Sequence, residues 1–231
     1  MPEVESDSLP SGSVRRRPMQ RRSVARFERM LDACAALLDD VGYDAMTTSE
    51  VARRAGVPIG TLYQFFDGKQ ALARALAERN LEVFLERLHA RFEASPPGDW
   101  ADAASCVVAE FVEMKRTVPG FAAIDFGDAR AGKLFMLDEE RQVENNQLVA
   151  QRLKELALTD LNLPDDPGLD RVLLVAVEAA DGVLRLAFRH RLDGDPDLIA
   201  EAETLVRGYL SARLGRIDNE QKNEPTGGVT V

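Results

Sequence analysis

The chain has 231 residues, 45% of them hydrophobic, which is enough to build the core of one large domain or two small ones and excludes a disordered protein. Its net charge of −10 is unevenly placed: residues 1–78 hold as many basic as acidic side chains, so the whole acidic excess follows residue 78. No apolar run reaches the roughly 18 residues of a membrane span and the apolar core of a signal peptide is missing. Setting aside the acidic leader Glu3, Glu5 and Asp7 leaves residues 12–78 at +3, so the expectation is a cytoplasmic protein with a basic head and an acidic remainder.

In chain order, residues 1–20 have Pro, Ser and Gly early and then Arg15, Arg16 and Arg17, and read as a disordered basic arm. The arm could lie along phosphates or enter a minor groove, or be a solvated tail; Arg21 and Arg22, beside the first helix, are the better candidates for contact. Ser23 can cap a helix in which Val24, Phe27, Met30, Leu31, Cys34, Leu37, Leu38 and Val41 recur at three- and four-residue intervals, ending at Gly42. Cys34 lies on that apolar stripe. With the distant Cys106 it makes neither a zinc pattern nor a disulfide framework.

Residues 47–69 carry the specific signal. Thr47 and Glu50 have the spacing of a capping box, in which the Thr side chain accepts from the first turn and Glu50 reaches back to the cap. Val51, Ala52 and Ala55 give the short helix that follows an apolar face, and Gly56 supplies a left-handed exit. Pro58 stands where a second helix begins, since its missing N–H costs nothing in a first turn. In that helix Leu62 and Phe66 face the core, while Ile59, Gly60, Tyr63 and Gln64 share the other side. Gly60 is disfavoured in a helix by about 1 kcal/mol relative to Ala, so something large is expected to approach the backbone there. This reads as a helix-turn-helix, for which a DNA backbone is such an object; the alternative is an ordinary helical hairpin with a few exposed polar groups. Lys69, in the first turn of the next helix, is placed to meet a phosphate, and Thr61, Gln64 and the Ile59 side chain are the candidate base readers.

The stretch Gly42-Tyr43-Asp44-Ala45-Met46-Thr47-Thr48, then Val51 to Val57, then Gly60-Thr61-Leu62-Tyr63-Gln64-Phe65-Phe66 and Lys69 resembles the tetracycline-repressor (TetR) family of one-component bacterial regulators over about residues 23–72. The resemblance implies that Thr48 touches a phosphate, that Pro58 to Gln64 enter the major groove, and that Tyr63 and Lys69 hold the DNA backbone. Two positions depart from the family. Pro58 stands where a hydroxyl residue is common and Phe65 where His is common, and neither supplies that polar contact. The fold implied is all-α: a three-helix head at 21–68, a helical ligand-binding and dimerisation domain at 69–216, and a disordered tail at 217–231.

Asp67 and Gln70 repeat the capping spacing and start a long helix over about 68–93 that joins head to remainder. Further helices are predicted from Asp99 to before Pro119, over about 132–158, over 169–192 and over 197–215, with a loop at Pro164 to Gly168 and no strand pattern. The helix 169–192 is apolar on most sides and must be covered on most sides. The resemblance implies that it and the last helix pair with their copies in a homodimer, with Ala176, Ala180, Val183, Leu205 and Tyr209 at the interface; burial within one subunit would also satisfy the pattern. In this family the effector pocket lies inside the second domain, and its candidate wall here is Phe84, Leu88, Phe111, Met114, Phe121, Ile124, Phe126, Phe135, Met136 and Glu178, suited to a lipophilic small molecule. The function implied is a DNA-binding regulator, usually a repressor, acting on a palindromic operator. The alternative is an all-helical enzyme or carrier with an incidental helix-turn-helix. Only His89 and His190 are present, with no His/Cys cluster or phosphate loop, so no catalytic residue, metal or cofactor is assigned.

Overall fold

The computed structural model describes residues 21–126, 139–160 and 167–221, and the side chains within them except those of residues 21, 139–144, 167 and 215–221. The arm at 1–20, Phe135 and Met136 lie outside the described residues. The elements are α1 (Arg21–Ala45), α2 (Thr48–Ala55), α3 (Ile59–Phe65), α4 (Lys69–Ala94), α5 (Trp100–Thr117), α6 (Glu139–Asp160), α7 (Pro167–Ala187) and α8 (Pro196–Gln221), with no strand among the described residues. The fold is all-α, as the periodicities predict. Two compact units emerge: the first runs to Leu81 and takes in Val118–Glu139, and the second holds Glu82–Thr117 and the chain from Glu140.

In the first unit, the apolar stripe of α1 is buried from Met30 to Leu38 in one core with Val51 and Ala52 of α2, Leu62 and Phe65 of α3, Phe66, and Leu72 and Leu76 of α4. Each such Leu or Phe contributes about 1.5–3 kcal/mol by leaving water. Val24 and Val41 extend the same stripe but remain exposed, because the stripe is longer than the surface it packs on. Ser23 does not cap α1; the helix already begins at Arg21, so Ser23 lies inside it. Gly42 breaks α1 with φ 73, and the last residues close a turn in which Met46 N–H donates to the carbonyls of Gly42 and Tyr43.

Residues after α5 also belong to this unit. Gly120, at φ 75, lies so close to α1 that an added Cβ would sit 2.8 Å from Ala35 Cα. Its N–H donates to both carboxylate oxygens of Asp39 at 2.9 and 3.0 Å, and Asn80 Nδ2 donates to the Ile124 carbonyl at 2.8 Å. Desolvation raises the Asp39 pKa, while the Gly120 N–H opposes it. Phe121 and Ile124 are fully buried, and Ile124 is part of the same core as α1 to α4.

In the second unit α8 packs on both α5 and α7. Leu169, Val172, Leu173 and Ala176 of α7 meet Val206, Leu210 and Leu214 of α8, while Leu184, Ala187 and Phe188 meet Val108 and Val112 of α5 and Ala202 of α8. Asp99 caps α5, its carboxylate accepting from Asp102 N–H at 2.8 Å. α7 stops at Ala187, five residues short of the predicted end, because the chain folds back and Asp195 N–H takes the Ala187 carbonyl at 2.9 Å. Asp195 then accepts from Asp197 and Leu198 N–H and so caps α8, which continues to Gln221, past the 215 expected from its stripe. The buried Glu110 of α5 is held by Arg87 at 3.1 Å and Arg91 at 3.3 Å, both on α4. No helix among the described residues is long and apolar enough to cross a membrane.

Candidate nucleic-acid interface

The turn between α2 and α3 follows from five residues. Thr47 is the N-cap of α2 in extended conformation, and its Oγ1 accepts from Glu50 N–H at 3.2 Å. The other half of the capping box does not form. Glu50 turns outward to the Arg53 guanidinium, accepting from Nε at 2.8 Å, and that hydrogen bond holds the exposed Glu50 carboxyl below its usual pKa. Gly56, at φ 65 and ψ 37, ends α2 in a left-handed cap: its N–H bonds the Arg53 carbonyl and Val57 N–H bonds that of Ala52. Pro58 follows as the N-cap of α3, and Thr61 and Leu62 N–H both return to its carbonyl.

Two phenylalanines set the rotation of α3. Phe65 is buried with its ring 6.1 Å from that of Phe27, and Phe66 stacks on Phe27 at 5.2 Å. Phe65 is therefore a core residue. With Leu62 and both rings turned inward, Pro58, Ile59, Gly60, Tyr63 and Gln64 are all exposed, and Thr61 is half-buried. An added Cβ at Gly60 would meet nothing within 4 Å, so no contact inside the chain accounts for this glycine. Tyr63 Oη and Thr48 Oγ1 are 3.1 Å apart, one hydroxyl donating to the other, which joins the start of α2 to the outer face of α3.

The charges around this face divide into two kinds. Arg53 is paired with Glu50, and Arg54 of α2 with Asp40 of α1 at 2.6 Å. Lys69 is held instead by neutral groups: its Nζ donates to the Asp44 carbonyl at 3.2 Å and lies 4.1 Å from the centroid of the Tyr43 ring. Arg22 is exposed on α1, and Arg21 begins that helix. Sequence reasoning names Arg21, Arg22, Thr48, Pro58, Ile59, Gly60, Thr61, Tyr63, Gln64 and Lys69, and the structure sets those whose side chains it describes in one unit. It misses Tyr43, whose contact with Lys69 spans 26 residues of chain and leaves no spacing signal.

Two family models match. That of the bacterial regulatory proteins of the tetR family covers residues 30–76, and that of the tetracyclin repressor-like C-terminal domain covers residues 98–214, about half of the chain. The chain belongs to the TetR family of transcriptional regulators. A crystal structure of a TetR-family transcriptional regulator from Streptomyces coelicolor is similar at 46% identity and a TM-score of 0.70, over 81% of this chain and 98% of that one. The A-factor receptor protein of Streptomyces griseus is 41% identical over 59 residues, which are 26% of this chain and 21% of that protein. The transcriptional repressor KstR of Rhodococcus jostii is 42% identical over 74 residues, 32% of each chain. The chain thus spans about a third or less of the length of these two curated relatives. TetR-family members are DNA-binding regulators and not enzymes.

The residues assigned to the second TetR-family domain are more scattered. Of the dimer candidates, Leu205 is 44% exposed and Ala180, Val183 and Tyr209 are half-buried, while Ala176 is buried in a cluster with Val206 and Leu210 of α8. Of the pocket candidates, Phe84, Leu88 and Met114 are fully buried in the second unit, and Phe111 and Glu178 are half-buried there. Lys115 Nζ lies 5.4 Å from the Phe111 ring. Ile124 packs in the core of the head, and Phe121 and Phe126, whose rings meet edge-on at 5.3 Å, belong to the same unit. Apolar character carries no sign that Gly120 N–H bonds Asp39 and the Ile124 carbonyl bonds Asn80, which ties this segment to α1 and α4.

Proposed function

We propose that the protein is a repressor that binds a nearly palindromic operator as a homodimer and releases it when a small lipophilic molecule occupies the second unit. The observation that carries this reading is the outer face of α3, where Ile59, Gly60, Tyr63 and Gln64 stand exposed beside Thr48, uncovered by any element among the described residues. In this reading α3 lies in the major groove, Gly60 lets the DNA approach, and Gln64 presents a donor and an acceptor together to adenine. Thr48, Tyr63, Lys69, Arg21 and Arg22 are the backbone contacts. The name of KstR as a repressor and of the A-factor protein as a receptor favours repression relieved by a ligand.

Homodimerisation is supported by what α7 and α8 leave uncovered. Val175, Gly182 and Leu186 on α7 and Leu205 and Gly208 on α8 are exposed, and an added Cβ at either glycine would meet nothing within 4 Å. Mid-helix glycines are costly unless another backbone comes close, and a second copy of this surface supplies one. For the ligand, Phe84, Leu88, Phe111 and Met114 form the apolar set, with Glu178 as its acidic member.

Gel retardation of duplex DNA from upstream of the protein's own gene, across a salt series, tests the reading. Retardation that weakens steeply with salt is the expected result; no sequence preference at any salt concentration overturns it. Once a releasing compound is found, Phe111→Ala should keep DNA affinity and lose release.

A further inference from the structure

Lys69 opens α4, yet its side chain is half-buried. The two groups that hold it, the Asp44 carbonyl and the Tyr43 ring, both come from the turn that closes α1. Gly42 makes that turn by its positive φ, and Thr47 caps α2 a few residues on, so one short stretch fixes both the ammonium of Lys69 and the Thr48 hydroxyl. Tyr43 is itself anchored, since it packs against the core shared by α1 to α4.

What distinguishes Lys69 from the arginines of α2 is the charge of its partners. Arg53 and Arg54 are each matched by a carboxylate, whereas a carbonyl and an aromatic face orient an ammonium without cancelling its charge. One donor goes to Asp44, and the ammonium has two more. A lysine loose in solvent has four rotatable bonds to freeze when it meets a phosphate, and one already fixed loses less.

We propose that Tyr43 is a positioning residue for DNA binding, holding the Lys69 ammonium in place, with its charge intact, for a phosphate of the operator. This rests on the backbone contact assigned to Lys69 above. The test is a double-mutant cycle on the full-length protein with the shortest upstream duplex that it retards, each affinity being measured across a salt series. Lys69→Ala should weaken binding and make the salt dependence shallower by about one counterion. Tyr43→Leu should weaken binding about three- to tenfold in the wild-type background and have no further effect in Lys69→Ala. Tyr43→Phe, which keeps the ring, should bind as wild type. An equal loss from Tyr43→Leu in both backgrounds would make Tyr43 a packing residue only and overturn the inference, as would no loss in either. If Lys69→Ala changes neither affinity nor salt dependence, the backbone contact of Lys69 fails, and the inference fails with it.

Discussion

The reading head and the second unit bury apolar surface with the same helices-on-helices chemistry, but they differ in what they leave over. In the head the exposed apolar side chains are divided between Val24 and Val41 on α1 and Ile59 and Tyr63 on α3, and those on α3 stand among polar groups held by near neighbours: Thr47 to Glu50, Arg53 to Glu50, Thr48 to Tyr63. In the second unit Val175, Leu186 and Leu205 remain exposed on the two helices that supply most of the core cluster around Leu169 and Val206. The head thus offers a mixed polar and apolar surface on α3. On α7 and α8 the exposed apolar side chains are aliphatic, which suits the proposed dimer face.

That contrast can be broken by substitution, and the largest effect should come from the second unit. Leu205→Arg leaves the isolated chain undisturbed, because the side chain is 44% exposed, but in a dimer it buries an unpaired charge at a cost of several kcal/mol. Sedimentation should show a folded monomer that retards DNA poorly. A stable Leu205→Arg dimer would mean that a second copy does not cover this face of the second unit.

Next comes the seam by which residues after α5 join the head. Gly120→Ala meets the backbone of Ala35 at 2.8 Å in a left-handed conformation, so strain and overpacking together should cost about 2–4 kcal/mol. Thermal unfolding should move to lower temperature. An unchanged Tm would show that this segment is only loosely docked on α1.

The smaller effects sharpen the head's side. Gln64→Ala should relax base preference at one position of each half-site, worth about 1–3 kcal/mol, measured by competition among operator variants; equal loss on every variant would make Gln64 a backbone contact. Gly60→Ala should raise the head's stability by up to about 1 kcal/mol, since the Cβ meets nothing, while weakening DNA binding. Gains in both would remove the reason offered for a glycine in this helix.

The helix-turn-helix was legible because its determinants are local. A cap and its acceptor, a left-handed glycine and a proline at a helix start act over three or four residues, so Thr47, Gly56 and Pro58 announce their roles in sequence. The capping box was half right for the same reason. Spacing permits Glu50 to reach back, but a guanidinium one turn ahead is the stronger partner. Likewise the left-handed exit of Gly42 was read as the end of α1, and it falls within three residues of it.

What only the tertiary structure decided are pairings across long chain separations. That Phe121 and Ile124 serve the head follows from Asp39 and Asn80, 81 and 44 residues from their partners, and that Lys69 is steadied by Tyr43 follows from how α1 ends against α4. Apolar periodicity states that a residue is to be buried and on which face of its own helix. It carries no information about which other helix does the covering, because the hydrophobic effect is non-directional; that choice is made when all the faces are packed at once.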